Sequence, residues 1–168
     1  MLFVTVGTHE QQFNRLVEYM DRWSLQHPDE EVIIQTGFST YEPKNATWSK
    51  LYPYQEMLEL VSSARIVITH GGPSSFIMPL QIGKIPVVVP RKHEFEEHVN
   101  DHQVAFSHAV AERQGNIVVI EDVEKLSEVL EQYNEIVAGL KAGLQSNNEH
   151  FCNEFSRIID SIVKNKKK

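Results

Sequence analysis

Cysteine is almost absent, with Cys152 the only one among 168 residues. A single thiol rules out an internal disulfide framework and a cysteine-based zinc site, and it suits a reducing, cytoplasmic compartment. Positive charge is scarce too. Lys and Arg number 16 against 23 Asp and Glu, a formal net charge of −7, whereas a groove that follows a nucleic-acid backbone needs a basic face. No nucleic-acid partner is expected. No apolar run nears the ~18 residues that cross a bilayer. The opening Met1-Leu2-Phe3-Val4-Thr5-Val6 is too short for a secretion signal and lacks its charged lead. Two common phosphate-binding signatures are also missing. G-x-x-x-x-G-K-[ST] does not occur, and Gly7-Thr8-His9-Glu10-Gln11 carries one glycine where the dinucleotide fingerprint has three. A phosphorylated ligand would be held in another way than in an NAD or ATP enzyme.

What is present is globular in proportion: 41% apolar and 23% charged residues, in a length that fits one domain. The expected organisation is a single domain over 1–168, with C-terminal helices over about 123–163 and a basic tail at 164–168. Leu2–Val6 reads as a strand ended by Gly7. Phe13, Leu16, Val17, Met20 and Trp23 then recur at helical spacing. Val32–Ile34 is a second strand. Gly37–Lys50 is turn-rich, with a short strand near Trp48, and Gln55–Ser63 is helical. Ile66–Ile68 is a strand running into His70-Gly71-Gly72-Pro73, and a short helix follows over Ser74–Gln81. Val87–Val89 is a strand, Asn100–Ala111 a helix and Ile117–Ile120 the last strand. Short β-branched runs alternating with amphipathic helices predict a Rossmann-like α/β fold, a parallel sheet with helices on both faces.

In such sheets ligands bind beyond the carboxyl ends of the strands. That rule selects the loops Gly7–Gln12, Gly37–Pro43, His70–Ser75 and Arg91–Gln103. In the third, two glycines allow close approach to the backbone, and Pro73 opens a helix without losing a hydrogen bond. The amides and hydroxyls of Ser74 and Ser75 would then face a diphosphate at the positive helix end; a plain capped turn explains Gly-Gly-Pro equally well. In the first loop, Thr8 caps a helix or touches phosphate, and His9 acts as acid or base or is simply solvated. In the last, His98 and His102 would share a helix face if the helix began early, which allows a metal reading. His93 and His98 are five apart, so H-E-x-x-H is not matched. A sugar site is the preferred reading, because Asp, Asn and Gln side chains suit adjacent hydroxyls.

The ordered set of segments resembles glycosyltransferase family 28 in its C-terminal, donor-binding half. Phe3-Val4-Thr5-Val6-Gly7-Thr8 is similar to the family's first strand and phosphate turn, with a weaker match at Gln35-Thr36-Gly37. His70-Gly71-Gly72-Pro73-Ser74-Ser75 and the following Gly83-Lys84-Ile85-Pro86-Val87-Val88-Val89-Pro90 resemble its diphosphate helix and next strand. Asn100-Asp101-His102-Gln103 resembles its donor-sugar motif. The resemblance covers about residues 1–120. It is strongest to small single-domain members: bacterial capsule and exopolysaccharide subunits, and the catalytic subunit of a two-part N-acetylglucosaminyltransferase of N-glycan assembly.

The resemblance implies one half of a GT-B enzyme. The activity implied is that of the catalytic subunit of an inverting, UDP-sugar-dependent hexosyltransferase. β-1,4-Galactosyl or related transfer to a lipid-linked oligosaccharide fits, with the UDP-sugar as substrate and neither cofactor nor metal. Gly7, Thr8, His70, Gly71, Gly72, Ser74 and Ser75 would bind the diphosphate, and Asn100, Asp101 and Gln103 the donor sugar. Tyr54 and Glu94 would contact the nucleoside, His9 would be the in-chain base, and Arg91 or Lys92 would offset the leaving charge. The family's ribose-holding glutamate aligns with Met78, which cannot accept those hydrogen bonds. Glu94 or Glu96 then holds the ribose, or nucleotide affinity is weak, or the chain is a non-catalytic accessory subunit. A hydrolase using the histidines, with zinc or manganese, is a third option.

Family enzymes pair two halves. A membrane-anchored partner subunit supplying the acceptor half is therefore expected, which puts the chain at the inner face of the plasma membrane. Phe151, Phe155, Ile158, Ile159, Ile162 and Val163 form an apolar stripe ahead of Lys164-Asn165-Lys166-Lys167-Lys168. That stripe packs on its own domain, or docks on the partner or on anionic lipid.

Overall fold

Runs of valine, isoleucine and leucine with no polar face can only become strands covered on both sides. In the computed structural model, which describes residues 1–142 and 148–165, the strands are β1 (Leu2–Thr5), β2 (Val32–Gln35), β3 (Thr47–Ser49), β4 (Ile66–His70), β5 (Val87–Val89) and β6 (Val118–Val119). They form one parallel sheet in the order β3-β2-β1-β4-β5-β6. Leu2 is in register with Val32 on one side and Ile66 on the other. The chain therefore builds outward from β1 in one direction, then returns and builds in the other. The boundary between β1 and β4 is the topological switch point of a doubly wound sheet.

The helices are α1 (Asn14–Gln26), α2 (Tyr54–Ser63), α3 (Pro73–Gln81), α4 (His102–Gln114), α5 (Leu126–Glu131), α6 (Tyr133–Ala138) and α7 (Asn148–Asn165). Side chains alternate across β1 with the period of a strand. Leu2 and Val4 join Leu16, Val17 and Met20 of α1 and Leu126 and Leu130 of α5. Phe3 points the other way and meets Val61 of α2, with Ala64 and Val67. Val88 of β5 packs on Phe76 and Leu80 of α3, with Phe106 and Val110 of α4 alongside.

Most expected boundaries shift by one to three residues. The last strand is narrower than Ile117–Ile120, and α4 starts at His102 rather than Asn100. The delay has a local cause. Asp101 Oδ1 accepts from the His93 amide at 2.8 Å and Asn100 Oδ1 from the His102 amide at 3.0 Å, which holds these residues in a turn ahead of the helix. His98 therefore precedes α4 and shares no helix face with His102, so the premise of a two-histidine metal site is not met. Among the described residues no three His, Cys, Asp or Glu side chains come together to hold a metal ion. No described helix is long and apolar enough to cross a membrane. Of the C-terminal apolar stripe, Phe155, Ile158 and Ile159 are exposed. Phe151, Ile162, Val163 and the tail 164–168 lie outside the residues whose side chains are described.

Candidate functional site

Loops leaving β1 and β4 diverge at the switch point and leave a cleft of about 480 Å³. Gly7, Thr8 and His9 line it from the β1 side, and His70, Ser74, Ser75 and Met78 from the β4–α3 side. Tyr52, Met57 and Val61 form an apolar wall, with Tyr54 beside them. Seven of the expected binding and catalytic residues thus meet in one place, together with Met78. Glu94 and Asp101 line a separate hollow of about 340 Å³ with Lys92 and Glu121. Tyr52 belongs to the Tyr52-Pro53-Tyr54 loop that the resemblance sets at the nucleoside, whereas the helical spacing of Met57 and Val61 marks them only as core.

His70 organises the cleft. The Gly72 amide donates to its Nδ1 at 3.0 Å, and its Nε2 lies 2.8 Å from Ser75 Oγ. Because Nδ1 accepts, the neutral ring carries its proton on Nε2 and donates to Ser75. The Ser75 hydroxyl hydrogen is then left to donate elsewhere. Ser75 stands in the first turn of α3, at the positive end of the helix dipole. The ring also explains two glycines. A Cβ at Gly7 would lie 2.3 Å from His70 Nε2, and one at Gly72 would lie 2.2 Å from Cε1. Gly7 has in addition a φ of +75°, which disfavours any side chain.

Burial, reinforced by the nearby Arg91 charge, holds the His70 pKa down to about 4. The donating tautomer therefore persists at neutral pH. As pH falls below about 6.5 the unfolded chain takes up a proton that the folded ring refuses, until the folded ring itself titrates near 4. The stabilisation is thus complete above about pH 6.5 and drains away toward pH 4, by roughly 3 kcal/mol. Denaturant titrations at pH 7.5 and 4.5 should show wild type losing about that much more stability than His70→Gln. Equal losses in both proteins would remove the neutral His70 from the account.

His9 reaches the cleft with its Nδ1 accepting from the Gln11 amide at 3.2 Å. Its neutral form therefore also presents Nε2–H. Burial, then Arg91, then the His98 ring 4.9 Å away lower its pKa. Gln103 is buried, and its Oε1 accepts from the amides of Gly71 at 3.0 Å and Arg91 at 3.2 Å. It braces the glycine turn against α4. Neither expected cation lines the cleft. Arg91 is completely buried and donates to backbone carbonyls, while Lys92 pairs with Glu121 at 3.1 Å and Glu94 at 3.5 Å. A guanidinium surrounded by carbonyl oxygens is a strut, so Arg91 does not meet the leaving phosphate directly as the expected neutralising cation.

A family model for the glycosyltransferase family 28 C-terminal domain matches residues 1–162. No curated protein sequence matches the chain significantly. The structure of the glycotransferase of kitacinnamycin is similar, with a TM-score of 0.61 and 20% identity over 82% of this chain and 37% of that one. The glycosyltransferase SnogD from Streptomyces nogalater gives a TM-score of 0.50 and 16% identity over 83% of this chain and 40% of that one. At these identities the likeness is one of fold: one Rossmann-like half of the two-lobed GT-B arrangement. The chain spans well under half the length of either structure.

Proposed function

The chain belongs to the glycosyltransferase family 28 C-terminal domain family, and from that premise we propose that its cleft holds the diphosphate of a UDP-sugar. The chain acts as the donor-binding, catalytic subunit of an inverting hexosyltransferase. One observation carries this reading: the Ser75 hydroxyl, aligned by His70, faces an open cleft from the first turn of α3. A diphosphate only accepts hydrogen bonds, so it suits an edge built from donors. Thr8 meets it from the other side, with His9 beside it. Tyr52, Tyr54 and Met57 offer an apolar surface to the flat pyrimidine.

In the reaction an acceptor hydroxyl oxygen bonds to the anomeric carbon as the bond to the diphosphate breaks, and the configuration inverts. Charge grows on the departing phosphate, where Ser75 and the α3 terminus stabilise it. The acceptor proton passes to a general base. His9 is the candidate in this chain. Taking up the proton on Nε2 requires the opposite tautomer and gives up the Gln11 contact. The donor sugar extends toward Asn100, Asp101 and Gln103, where the Gln103 amide nitrogen is left to meet a hydroxyl. Glu94 lies in the neighbouring hollow, so the nucleoside contact rests on Tyr54. A membrane-anchored partner supplies the acceptor half and a lipid-linked saccharide, at the cytoplasmic face of the membrane, in capsule or exopolysaccharide synthesis.

Met78 favours a second reading. It belongs to the apolar wall and accepts no ribose hydroxyl, as would suit a non-catalytic accessory subunit. Calorimetry separates the two. UDP should bind at least about 100-fold more tightly than uridine, a gap of roughly 2.7 kcal/mol, and equally with or without EDTA. Uridine binding as well as UDP, or UDP not binding, defeats the donor reading. Binding without transfer in the presence of the partner selects the accessory role.

A further inference from the structure

A buried cation is costly unless the fold surrounds it with acceptors, and among the described residues Arg91 is the largest fully buried side chain. One guanidinium nitrogen donates to the Gln11 and Gln12 carbonyls, both at 2.9 Å, and to the Glu97 carbonyl at 3.0 Å. The other donates to the Val6 carbonyl at 2.8 Å. The planar group also lies over the Phe13 ring, 4.8 Å from its centroid. Val6 is the residue before the Gly7–Gln12 loop, and Gln11 and Gln12 are its last two. One side chain from another loop therefore ties together the entry and the exit of the segment that carries Gly7, Thr8 and His9.

The counter-charge is spent elsewhere. The buried Glu97 carboxylate receives Arg15 through two contacts of 2.9 Å and also accepts from the Lys92 amide. That arrangement holds in place the segment that offers Arg91 its fourth carbonyl. Among the described residues that line the cleft, none is Lys or Arg, while the Arg91 charge is felt at both His9 and His70.

We propose that Arg91 is a positioning residue for the donor: its guanidinium clamps both ends of the Gly7–Gln12 loop, setting Gly7, Thr8 and His9 opposite the first turn of α3. The role rests on the reading of the cleft as a diphosphate site. Lysine keeps the charge but is a point donor on a flexible stem, and it cannot span carbonyls at both ends of a loop.

The test uses the full chain, with UDP affinity by calorimetry and amide hydrogen exchange read together. Arg91→Lys should weaken UDP at least about tenfold and speed exchange in the 7–12 loop, while β1 and β4 keep their protection. Tyr133→Phe removes a buried hydrogen bond to the Ile85 carbonyl away from the cleft. It should lower stability and leave UDP affinity unchanged, which separates positioning from simple destabilisation. A folded Arg91→Lys protein that binds UDP within twofold of wild type overturns the proposal. Should Arg91→Lys not fold, Glu97→Gln takes its place: a threefold or greater loss of affinity supports the clamp, and unchanged affinity overturns it. If wild type itself does not bind UDP, the donor reading falls. The clamp is then judged by exchange alone, and unaltered loop protection in the variant refutes it.

Discussion

Alanine at Gly72 is expected to weaken UDP binding about 100-fold or more, roughly 2.7 kcal/mol, while leaving the sheet intact. The new Cβ would sit 2.2 Å from His70 Cε1 and 2.9 Å from Nδ1. No rotation of a flexible tip relieves this, because the ring is buried and held at both nitrogens. The imidazole must leave, and both of its hydrogen bonds go with it. Those bonds are worth about 1 kcal/mol each, and overpacking adds about 1–3 kcal/mol. The melting temperature should fall by about 2–4 °C per kcal/mol lost. Gly72 has an ordinary φ of −79°, so the effect is steric and not conformational. Gly83 supplies the control: its φ is +78°, and nothing lies within 4 Å of an added Cβ. Gly83→Ala should cost about 1–2 kcal/mol of stability through backbone strain and leave UDP affinity unchanged. Equal UDP binding by Gly72→Ala and wild type would mean that the ring does not shape the ligand seat.

The second large effect is expected at Ser75. Removing its hydroxyl deletes the donor aimed at the anion and strands the buried His70 Nε2–H, 2.8 Å away in the native protein. An orphaned buried donor costs about 1–3 kcal/mol of stability. Loss of one preorganised donor to a developing charge lowers transfer about 100- to 1,000-fold. Ser75→Thr keeps the oxygen, and its rate in the presence of the partner should stay within about tenfold of wild type. If Ser75→Ala transfers sugar at the wild-type rate, the helix-end donor has no part in the reaction. In both variants His70 is the common element, and in each the loss of binding should exceed what the stability change alone predicts.

Much of this arrangement was legible in the residue order. The buried runs around Val4, Ile68 and Val88 announce strands, and the carboxyl-end rule points to Gly7 and to the His70 turn. The strand order was not legible, because the apolar pattern of β2 or β5 says nothing about which neighbour it adopts. The Arg91–Gln103 loop was the least readable. It has no hydrophobic period, and its shape comes from contacts such as Asp101 to the His93 amide and from Glu96 in the left-handed region. Arg91 misled for a related reason. Its partners are backbone carbonyls, which every residue carries and no composition reveals. The bracing role of Gln103 was equally hidden: an amide suited to a sugar hydroxyl also suits the backbone N–H groups of Gly71 and Arg91, which its Oε1 meets. The apolar wall was visible as a helix through Met57 and Val61, but only folding shows that this face also meets the cleft.

The central claim is that the mouth between β1 and β4 grips a nucleotide diphosphate through the first turn of α3. Amide chemical-shift mapping of the isotope-labelled chain during a UDP titration tests it most directly. Saturable shifts should concentrate at Gly7–His9 and Gly72–Ser75, with little change along β6 and α5. Shifts confined to other surfaces, or none at millimolar UDP, would contradict the claim.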